Sequence, residues 1–355
     1  MHRAVTWVLV HVVIFVALAA CRSSPPAQVA DNGQDGQGER DTDVYTPPDI
    51  ALPAPDCTKV EAVAVNPLAD SQWEFELGPH AVSAVVTSWS NVASLSAIDG
   101  LVVNNETWVE PGWRESGDSV LYLRCCVRVA AWPGIATMVM PSSPARVIPE
   151  GSWTVSLTSA LSTPSVYVRY GEAAGTLQLP IVVHRPQAVP EAEANRYVLD
   201  ASAILADAAN VEVDVVDGQT HSEQALGLSA IGDFPAARDD VRDVLHVVLV
   251  PKIDGDTVGV SPVGGPVSGG IVVVEYTTAS LPRTLAHELT HFLGLWHLTE
   301  SAQPDIHDPL PDTPLYDDNN LMSVELFGGV SLSDQQVSIV RRHPILRGAL
   351  NGCSD

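Results

Sequence analysis

The stretch HELTHFLGLWH, residues 287–297, places three histidines and one glutamate close together in the chain. In an α-helix, His287 and His291 lie one turn apart on the same face and can bind one metal ion without distorting the backbone. A third ligand on the same straight helix would miss that ion, but Gly294 tolerates the positive φ of a sharp turn. His297 can therefore return to the ion, and the stretch predicts a three-histidine metal site.

The ligand type and the glutamate between the histidines favour a catalytic zinc ion. Zinc prefers nitrogen and sulfur ligands, and catalytic sites hold it with three protein ligands while a fourth position stays open. Glu288 follows the first histidine, and its carboxylate can take a proton from an activated water and pass it to the leaving amine. We predict zinc as the cofactor, Glu288 as the catalytic base, and no organic cofactor.

The segments around the motif predict a helix that packs on a sheet. Ser280 can cap the helix start, and Leu285, Leu289 and Phe292 form an apolar stripe. Upstream, strand patterns and a helix pattern alternate from about Gln178 onward, which predicts α/β layers. The predicted strands are LQLPIVVHRP, VEVDVV, DVLHVVLVP and GGIVVVEYT, and the predicted helix is PEAEANRYVLDASAILADAAN.

Residues 57–178 predict a separate all-β domain. Short alternating runs such as WEFELG, GSWTVSLTS and PSVYVRYG are separated by turn residues, a pattern typical of an antiparallel β-sandwich. We expect this domain to stabilise or space the metal-binding one. Binding of a substrate or a surface is the alternative role.

The N-terminus is predicted to direct export. A short basic start precedes a nearly unbroken apolar run from Ala4 to Ala20, which is followed by Cys21. The sequence Leu-Ala-Ala-Cys resembles the lipobox of bacterial lipoproteins, which implies that residues 1–20 are a signal peptide and that Cys21 carries the lipid. A plain signal peptide or a short signal anchor is the alternative. Residues 21–56 are rich in Pro, Gly, Asp and Gln and cannot bury enough apolar surface to become ordered, so we expect a disordered linker.

Composition restricts the partners. The formal net charge is −25 with only 18 lysines and arginines, which predicts repulsion from nucleic acid and from anionic membrane surfaces. The expected partner is a protein or peptide substrate. The lipobox resemblance implies that the protein is exported, that a lipid anchors it to the bacterial cell envelope at the outer membrane, and that it touches the membrane only through this lipid.

Four further cysteines, Cys57, Cys125, Cys126 and Cys353, allow three disulfide pairings. A bond between the adjacent Cys125 and Cys126 would be strained. We therefore favour bonds that join each of these two to Cys57 or Cys353, and the choice between those two schemes stays open.

The motif also carries a family resemblance. HELTHFLGLWH resembles the extended zinc motif of the metzincin metallopeptidases, and HFLGLWH is similar to its form in the pappalysin family. Metzincins have a methionine in a tight turn beneath the metal, and Asn320-Leu321-Met322-Ser323 resembles that turn. Asp312-Thr313-Pro314 and the closing segment LSDQQVSIVRRHP also resemble pappalysins, and in that segment Ser333 and Gln336 predict a capping box.

The resemblance covers residues 180–345 and implies an α+β metzincin-like catalytic domain: a mixed twisted sheet with long helices and the zinc at the base of a cleft. It does not cover the all-β domain that precedes it. The predicted organisation is a signal peptide (1–20), a disordered linker (21–56), a β-sandwich domain (57–178) and a metzincin-like zinc peptidase domain (179–355).

The loop between His297 and Met322 is acidic and holds no lysine or arginine. Its carboxylates are Glu300, Asp305, Asp308, Asp312, Asp317 and Asp318. A calcium site is one interpretation, because calcium takes six to eight oxygen ligands from such loops. The favoured alternative is a solvated loop in which Asp312 and Thr313 hydrogen-bond backbone groups.

These observations predict a zinc-dependent endopeptidase that hydrolyses peptide bonds of extracellular or envelope proteins. The first alternative is a surface binding or adhesion lipoprotein with a structural or vestigial zinc site. The intact Glu288 and the glycine at 294 argue against it, since a structural site needs no base. The second alternative is a zinc amidase acting on a non-peptide amide, which the same water activation would serve.

Overall fold

The structure is a computed structural model. The residues it describes are 20–22, 59–69, 71–89, 95–111, 121–124, 127–144, 148–158, 162–222, 240, 242–300, 303–308, 310–324 and 328–348. The predicted signal peptide up to residue 19, most of the predicted linker, and Cys57, Cys125, Cys126 and Cys353 lie outside this part of the chain. The disulfide predictions therefore stay predictions.

The described residues form mainly strands. In chain order the strands are β1 (Ala20–Arg22), β2 (Lys59–Val63), β3 (Asn66–Ala69), β4 (Gln72–Leu77), β5 (Ala81–Trp89), β6 (Leu95–Ser96), β7 (Ile98–Val103), β8 (Glu106–Val109), β9 (Leu121–Arg124), β10 (Val127–Pro133), β11 (Ile135–Met140), β12 (Gly151–Leu157), β13 (Ser165–Tyr170), β14 (Leu177–Pro186), β15 (Val211–His221), β16 (Leu245–Val250), β17 (Thr257–Val260), β18 (Gly270–Glu275), β19 (Thr299–Glu300) and β20 (Gln303–His307). The helices are α1 (Glu191–Ala209), α2 (Leu281–Phe292) and α3 (Asp334–Arg342).

A mixed six-stranded sheet carries the C-terminal half, with the strand order β1-β17-β18-β16-β14-β15. Strands β15, β14, β16 and β18 run parallel, and β17 pairs antiparallel with β18. Every residue of β16 and β18 is buried, as expected for central parallel strands covered on both faces. Strand β17 lies near one edge, where the short β1 pairs with its outer side.

Helices cover one face of this sheet. Helix α1 buries a stripe that includes Ala194, Val198, Ala201 and Leu205, which share a core with apolar residues of α2 and of the sheet. Asn210 caps its C-terminus. This residue adopts the left-handed conformation (φ 54°), and its N–H donates to carbonyls of the last turn.

The segment before residue 177 forms two antiparallel sheets. One has seven strands in the order β2-β13-β5-β11-β10-β6, with β9 paired to β10, and the other has five in the order β3-β4-β12-β7-β8. Burial alternates along β12, so every second side chain enters the core. That core joins residues of both sheets, including Phe75 and Trp153, whose rings stack 5.9 Å apart, and Val86 and Val168.

The seven-stranded sheet also packs on the mixed sheet, on the face opposite the helices. Trp132 and Ile135 of the β10–β11 hairpin share a buried apolar cluster with Val248 and Val250 of β16. The side chains of Val247 and Leu249, which alternate with these, enter the helix-covered core instead. Both faces of the mixed sheet are therefore covered by protein.

The described chain is thus largely β, with one mixed sheet and three helices. The strands and the helix predicted upstream of the motif are confirmed. The predicted boundary near residue 178 stays a prediction; the last antiparallel strand of the first segment ends at Tyr170 and β14 begins at Leu177. Among the described residues, no helix is long and apolar enough to span a membrane.

Of the two predicted helix caps, one is confirmed and one is wrong. Ser333 has an extended backbone and forms a complete capping box with Gln336. Ser280 occupies the N-cap position of α2, but its side chain makes no capping hydrogen bond. Its backbone (φ −111°, ψ 31°) lies outside the extended region from which a cap side chain reaches the first-turn N–H groups.

Candidate metal centre

Helix α2 presents the first part of the motif. Its apolar stripe packs into the core of the mixed sheet, and Leu285, Leu289 and Phe292 are completely buried. His287 and His291 lie on a different face, and they are also completely buried. A helix that is buried on every side holds its polar side chains in fixed positions, which suits a site that must bind one ion.

Two features fix the C-terminal end of α2: hydrogen bonds from the loop at Gly264 and Gly265, and a turn at Gly294. The N–H groups of Gly264 and Gly265 donate to the carbonyls of His291 and Phe292, at 3.0 and 2.8 Å, and so satisfy groups that a helix end leaves open. A Cβ on Gly265 would lie 2.0 Å from Cε2 of Phe292, so only glycine permits this approach. The chain then turns at Gly294 with φ 113°, as the sequence predicted.

The turn brings the third histidine back to the first two. Nε2 of His297 lies 3.2 Å from Nε2 of His287 and 3.1 Å from Nε2 of His291. Tetrahedral zinc with bonds of about 2.0–2.1 Å places two ligand nitrogens about 3.3 Å apart. Among the described residues, these three histidines are the one group of at least three potential ligands whose donor atoms converge closely enough to hold a metal ion.

Backbone carbonyls fix the orientation of two of the rings. Nδ1 of His287 lies 2.6 Å from the carbonyl oxygen of Leu321, and Nδ1 of His291 lies 2.7 Å from that of Leu295. Because a carbonyl only accepts, each Nδ1 carries a proton. Burial and the neighbouring histidines lower the pKa of both rings well below the usual value, so both are neutral and each Nε2 carries a lone pair.

The lone pairs of His287 Nε2 and His291 Nε2 therefore both face Nε2 of His297. That nitrogen carries at most one proton and cannot donate to both. A cation at the centre resolves this conflict, and nitrogen ligands whose other ring nitrogen donates to a carbonyl are typical of zinc sites. The donor set and its spacing thus fit a metal ion, and zinc is among the ions that imidazole ligands suit.

Glu288 is completely buried beside strand β17. A Cβ on Gly259 would lie 2.6 Å from Oε1 and 2.7 Å from Cγ of Glu288, so the backbone of β17 passes directly against this carboxylate. The strand at this edge of the sheet and the predicted base are therefore neighbours.

The predicted methionine turn packs against helix α2 beside His287. Met322 is completely buried, and its sulfur accepts a hydrogen bond from the hydroxyl of Thr290, which lies on α2 between His287 and His291. The same turn supplies the Leu321 carbonyl that orients His287. Its own shape is held by Asn320, whose side chain accepts from the N–H of Met322 at 2.8 Å.

Two residues that support this turn were not predicted. The guanidinium of Arg283, on α2, donates to the carbonyls of Gly329, Leu321 and Ser323. The side chain of Gln336, which is buried, accepts from Asn320 Nδ2 at 2.8 Å and from the N–H of Ser333 at 3.0 Å. Their partners lie far away in sequence, and a capping box was the one signal that singled out Gln336.

Two carboxylates of the acidic loop accept hydrogen bonds, and one of them, Asp312, holds the start of α3. Asp312 accepts from the hydroxyl of Ser333 and from the N–H of Gln335, both at 2.9 Å, and Asp308 accepts from Thr313. These contacts agree with the hydrogen-bonding interpretation of the loop. Glu300 and Asp305 lie in strands whose side chains are outside the described part of the chain, and among the described acids no group of three converges as metal ligands would.

The predicted lipidation residue lies beside the same edge of the sheet. The backbone of β1, which contains Cys21, pairs antiparallel with β17, with Ala20 opposite Val260 and Arg22 opposite Thr257. Cleavage between Ala20 and Cys21 would cut this strand in two. Lipid attachment itself stays a prediction.

Comparisons with known proteins find matches among solved structures. No family model and no curated protein matches the sequence. Among solved structures, one described as a chaperone–substrate complex is 16% identical, with a TM-score of 0.32, over 54% of this chain and 38% of that chain. Archaemetzincin from Methanopyrus kandleri is also 16% identical, with a TM-score of 0.26, over 47% of this chain and 88% of that chain. The chain spans 38% of the length of the first structure, and at these TM-scores neither similarity establishes a fold or a function.

Proposed function

We propose that the protein is a zinc-dependent endopeptidase with a metzincin-like catalytic domain, and that it hydrolyses peptide bonds of extracellular or envelope proteins. The observation that carries the proposal is the convergence of three Nε2 atoms from His287, His291 and His297. Two of the rings are fixed by carbonyls, and the carboxylate of Glu288 is held on the same helix.

In this proposal the three histidines hold the zinc. When bound, zinc polarises the scissile carbonyl and makes water a stronger acid. Glu288 accepts a proton from the attacking water and delivers it to the leaving amine, and no covalent intermediate with the protein is formed. Burial of the carboxylate excludes bulk water from this transfer, and Met322 is buried with its sulfur against Thr290 of α2.

Strand β17 is the proposed substrate-binding edge. An extended peptide can add to the open side of a sheet through main-chain hydrogen bonds, and β17 runs against Glu288 through Gly259. If processing removes Ala20, the pairing of Ala20 with Val260 is lost and β17 opens at Val260, while Arg22 can still pair with Thr257. The substrate backbone would then lie beside the base.

The antiparallel segment is proposed as a supporting domain. It contacts the centre through strand β11: Thr137 donates to the carbonyl of Val263 at 2.9 Å, and Val139 is the nearest neighbour of the Cβ positions of Gly264 and Gly294. These contacts favour stabilisation of the metal-binding turn over independent binding of a surface.

A chelator experiment tests the proposed activity. Purified protein is incubated with a proteome-derived peptide mixture, and cleavage products are identified by mass spectrometry. We expect internal cleavages that disappear with a zinc chelator and return when zinc is restored. A protein that binds one zinc ion but yields no metal-dependent products under these conditions would instead be the adhesion lipoprotein with a structural site.

The proposed localisation has its own test. We propose that Cys21 is lipidated after removal of residues 1–20, so that the protein is tethered to the bacterial envelope through the linker of residues 21–56. Mass spectrometry of the mature protein from its native host should find a diacylglyceryl-modified Cys21 at the N-terminus, and Cys21→Ser should abolish it. An unmodified N-terminus at another residue would contradict this proposal.

A further inference from the structure

A cavity away from the metal centre lies between the two halves of the described chain. This cavity, of about 590 Å³, opens between strands β2 and β13 and the segment that follows α3. None of the residues that line it belongs to the metal centre. Much of its wall is apolar, with contributions from Val60, Val267, Ile345 and Leu346.

One wall of this cavity carries a buried arginine with two unsatisfied hydrogen-bond donors. Arg169 is 1% exposed, and its Nη2 donates to the carbonyl of Leu346. Its Nε and Nη1 have no hydrogen-bond partner among the described residues. Burial lowers the pKa of Arg169 to about 10, which still leaves the guanidinium charged at neutral pH. A buried charge whose donors are unsatisfied is costly, and buried arginines are therefore normally paired.

The other charged residues that line the cavity have partners of their own. Lys59 and Arg347 line it together with Arg169, and Asp243 is the one acid among the lining residues. Arg347 donates to the backbone carbonyl of Asp243 at 2.9 Å, so a cation stands beside that carboxylate. The amine of Lys59 is paired with Glu61, which lies outside the lining, at 2.6 Å. Arg169 is therefore the lining cation whose donors are unsatisfied.

We propose that this cavity binds a carboxylate carried on an apolar body, and that the carboxylate accepts a hydrogen bond from the guanidinium of Arg169. Charge-assisted hydrogen bonds of this kind match the planar arginine fork. The apolar walls would bury the rest of the ligand, because pockets of this size are mostly lined by apolar groups with a few polar anchors. A free carboxylic acid and the C-terminus of an apolar peptide share this chemistry.

Calorimetric titration of the purified protein tests the site. The probes are hexanoate, its uncharged match hexanamide, inorganic phosphate, and N-acetyl-leucyl-leucine with a free C-terminus. We expect a saturable heat with hexanoate or with the dipeptide, and at least about tenfold weaker binding of hexanamide and of phosphate. If hexanoate binds more tightly than the dipeptide, the ligand is a free carboxylic acid. If the dipeptide binds more tightly, the ligand is a peptide C-terminus. Phosphate binding as tight as hexanoate, or equal binding of hexanoate and hexanamide, would overturn the proposal.

Substitutions of residues that line the cavity test whether the carboxylate binds there. Arg169→Met should weaken binding of the carboxylate by about 10–100-fold. Lys59→Met, at a half-exposed residue whose amine pairs with Glu61 at 2.6 Å, should weaken it several-fold without affecting folding. Arg196→Met is the matched control, because Arg196 is exposed on α1 and does not line the cavity. Binding that is unchanged in Lys59→Met, or equally reduced in Arg196→Met, would contradict the assignment even if Arg169→Met fails to fold.

Discussion

Replacing Glu288 with glutamine should reduce peptide cleavage by about 10²–10⁴-fold while the protein keeps one zinc ion per chain. The amide has nearly the same size and shape as the carboxylate but cannot accept the proton at neutral pH. Because Glu288 is completely buried against Gly259, no solvent-exposed group can easily take over this role. Cleavage rates and zinc content, measured on the same preparation, check the prediction.

A second buried glutamate provides a matched control. Glu275, at the end of β18, is 8% exposed and lies 3.2 Å from the amine of Lys252. Glu275→Gln makes the same chemical change away from the histidines and should leave the rate nearly unchanged. His291→Ala should lose both activity and metal, since it removes a ligand. Wild-type cleavage by Glu288→Gln would eliminate the proposed mechanism.

The elements that the sequence predicted well are those specified by local pattern. The spacing of His287 and His291 along one helix face requires only the helix itself, and the positive φ at Gly294 follows from one residue type. The central strands β16 and β18 are equally local, because a continuous apolar run between turn signals indicates a strand buried on both faces.

The features that the sequence did not predict depend on contacts between distant segments. Arg283 precedes the motif, yet its guanidinium holds carbonyls near residues 321 and 329. His184 and His246 are 62 residues apart and lie side by side only because β14 and β16 pair, with Nε2 and Nδ1 2.7 Å apart. No periodicity or spacing specifies such partners, because the sheet order that brings them together is a property of the whole chain.

The contact between β11 and the metal-binding turn also joins segments that are distant in sequence, and it links the all-β segment to the metal centre. Val139 lies against both Gly264 and Gly294, and the N–H of Gly264 donates to the carbonyl of His291. The all-β segment therefore packs directly against the backbone that turns toward His297. Closely packed interiors transmit even small changes in volume, so substitutions in the antiparallel sheets should affect zinc binding.

Gly294→Ala should weaken zinc binding by about 10–100-fold, the range seen when groups that orient metal ligands are lost. Two causes act together. At φ 113° an L-residue is strained by about 1–3 kcal/mol. In addition, the new Cβ would lie 3.0 Å from Cγ1 of Val139 and 3.2 Å from Cγ2 of Ile339. If the backbone shifts to relieve the strain or the close contacts, the turn moves and His297 is displaced from His287 and His291.

Two further variants separate these causes. Gly175 also has a positive φ, 71°, but a Cβ there would meet nothing within 4 Å, so Gly175→Ala reports backbone strain far from the metal and should leave zinc affinity unchanged. Val139→Ala removes the closest clash, and combined with Gly294→Ala it should restore part of the lost affinity while the strain remains. Zinc affinities from competition with a chelating dye decide between the outcomes. Wild-type affinity in Gly294→Ala would mean that His297 reaches the ion without this turn, and an absence of any rescue would assign the whole effect to the backbone.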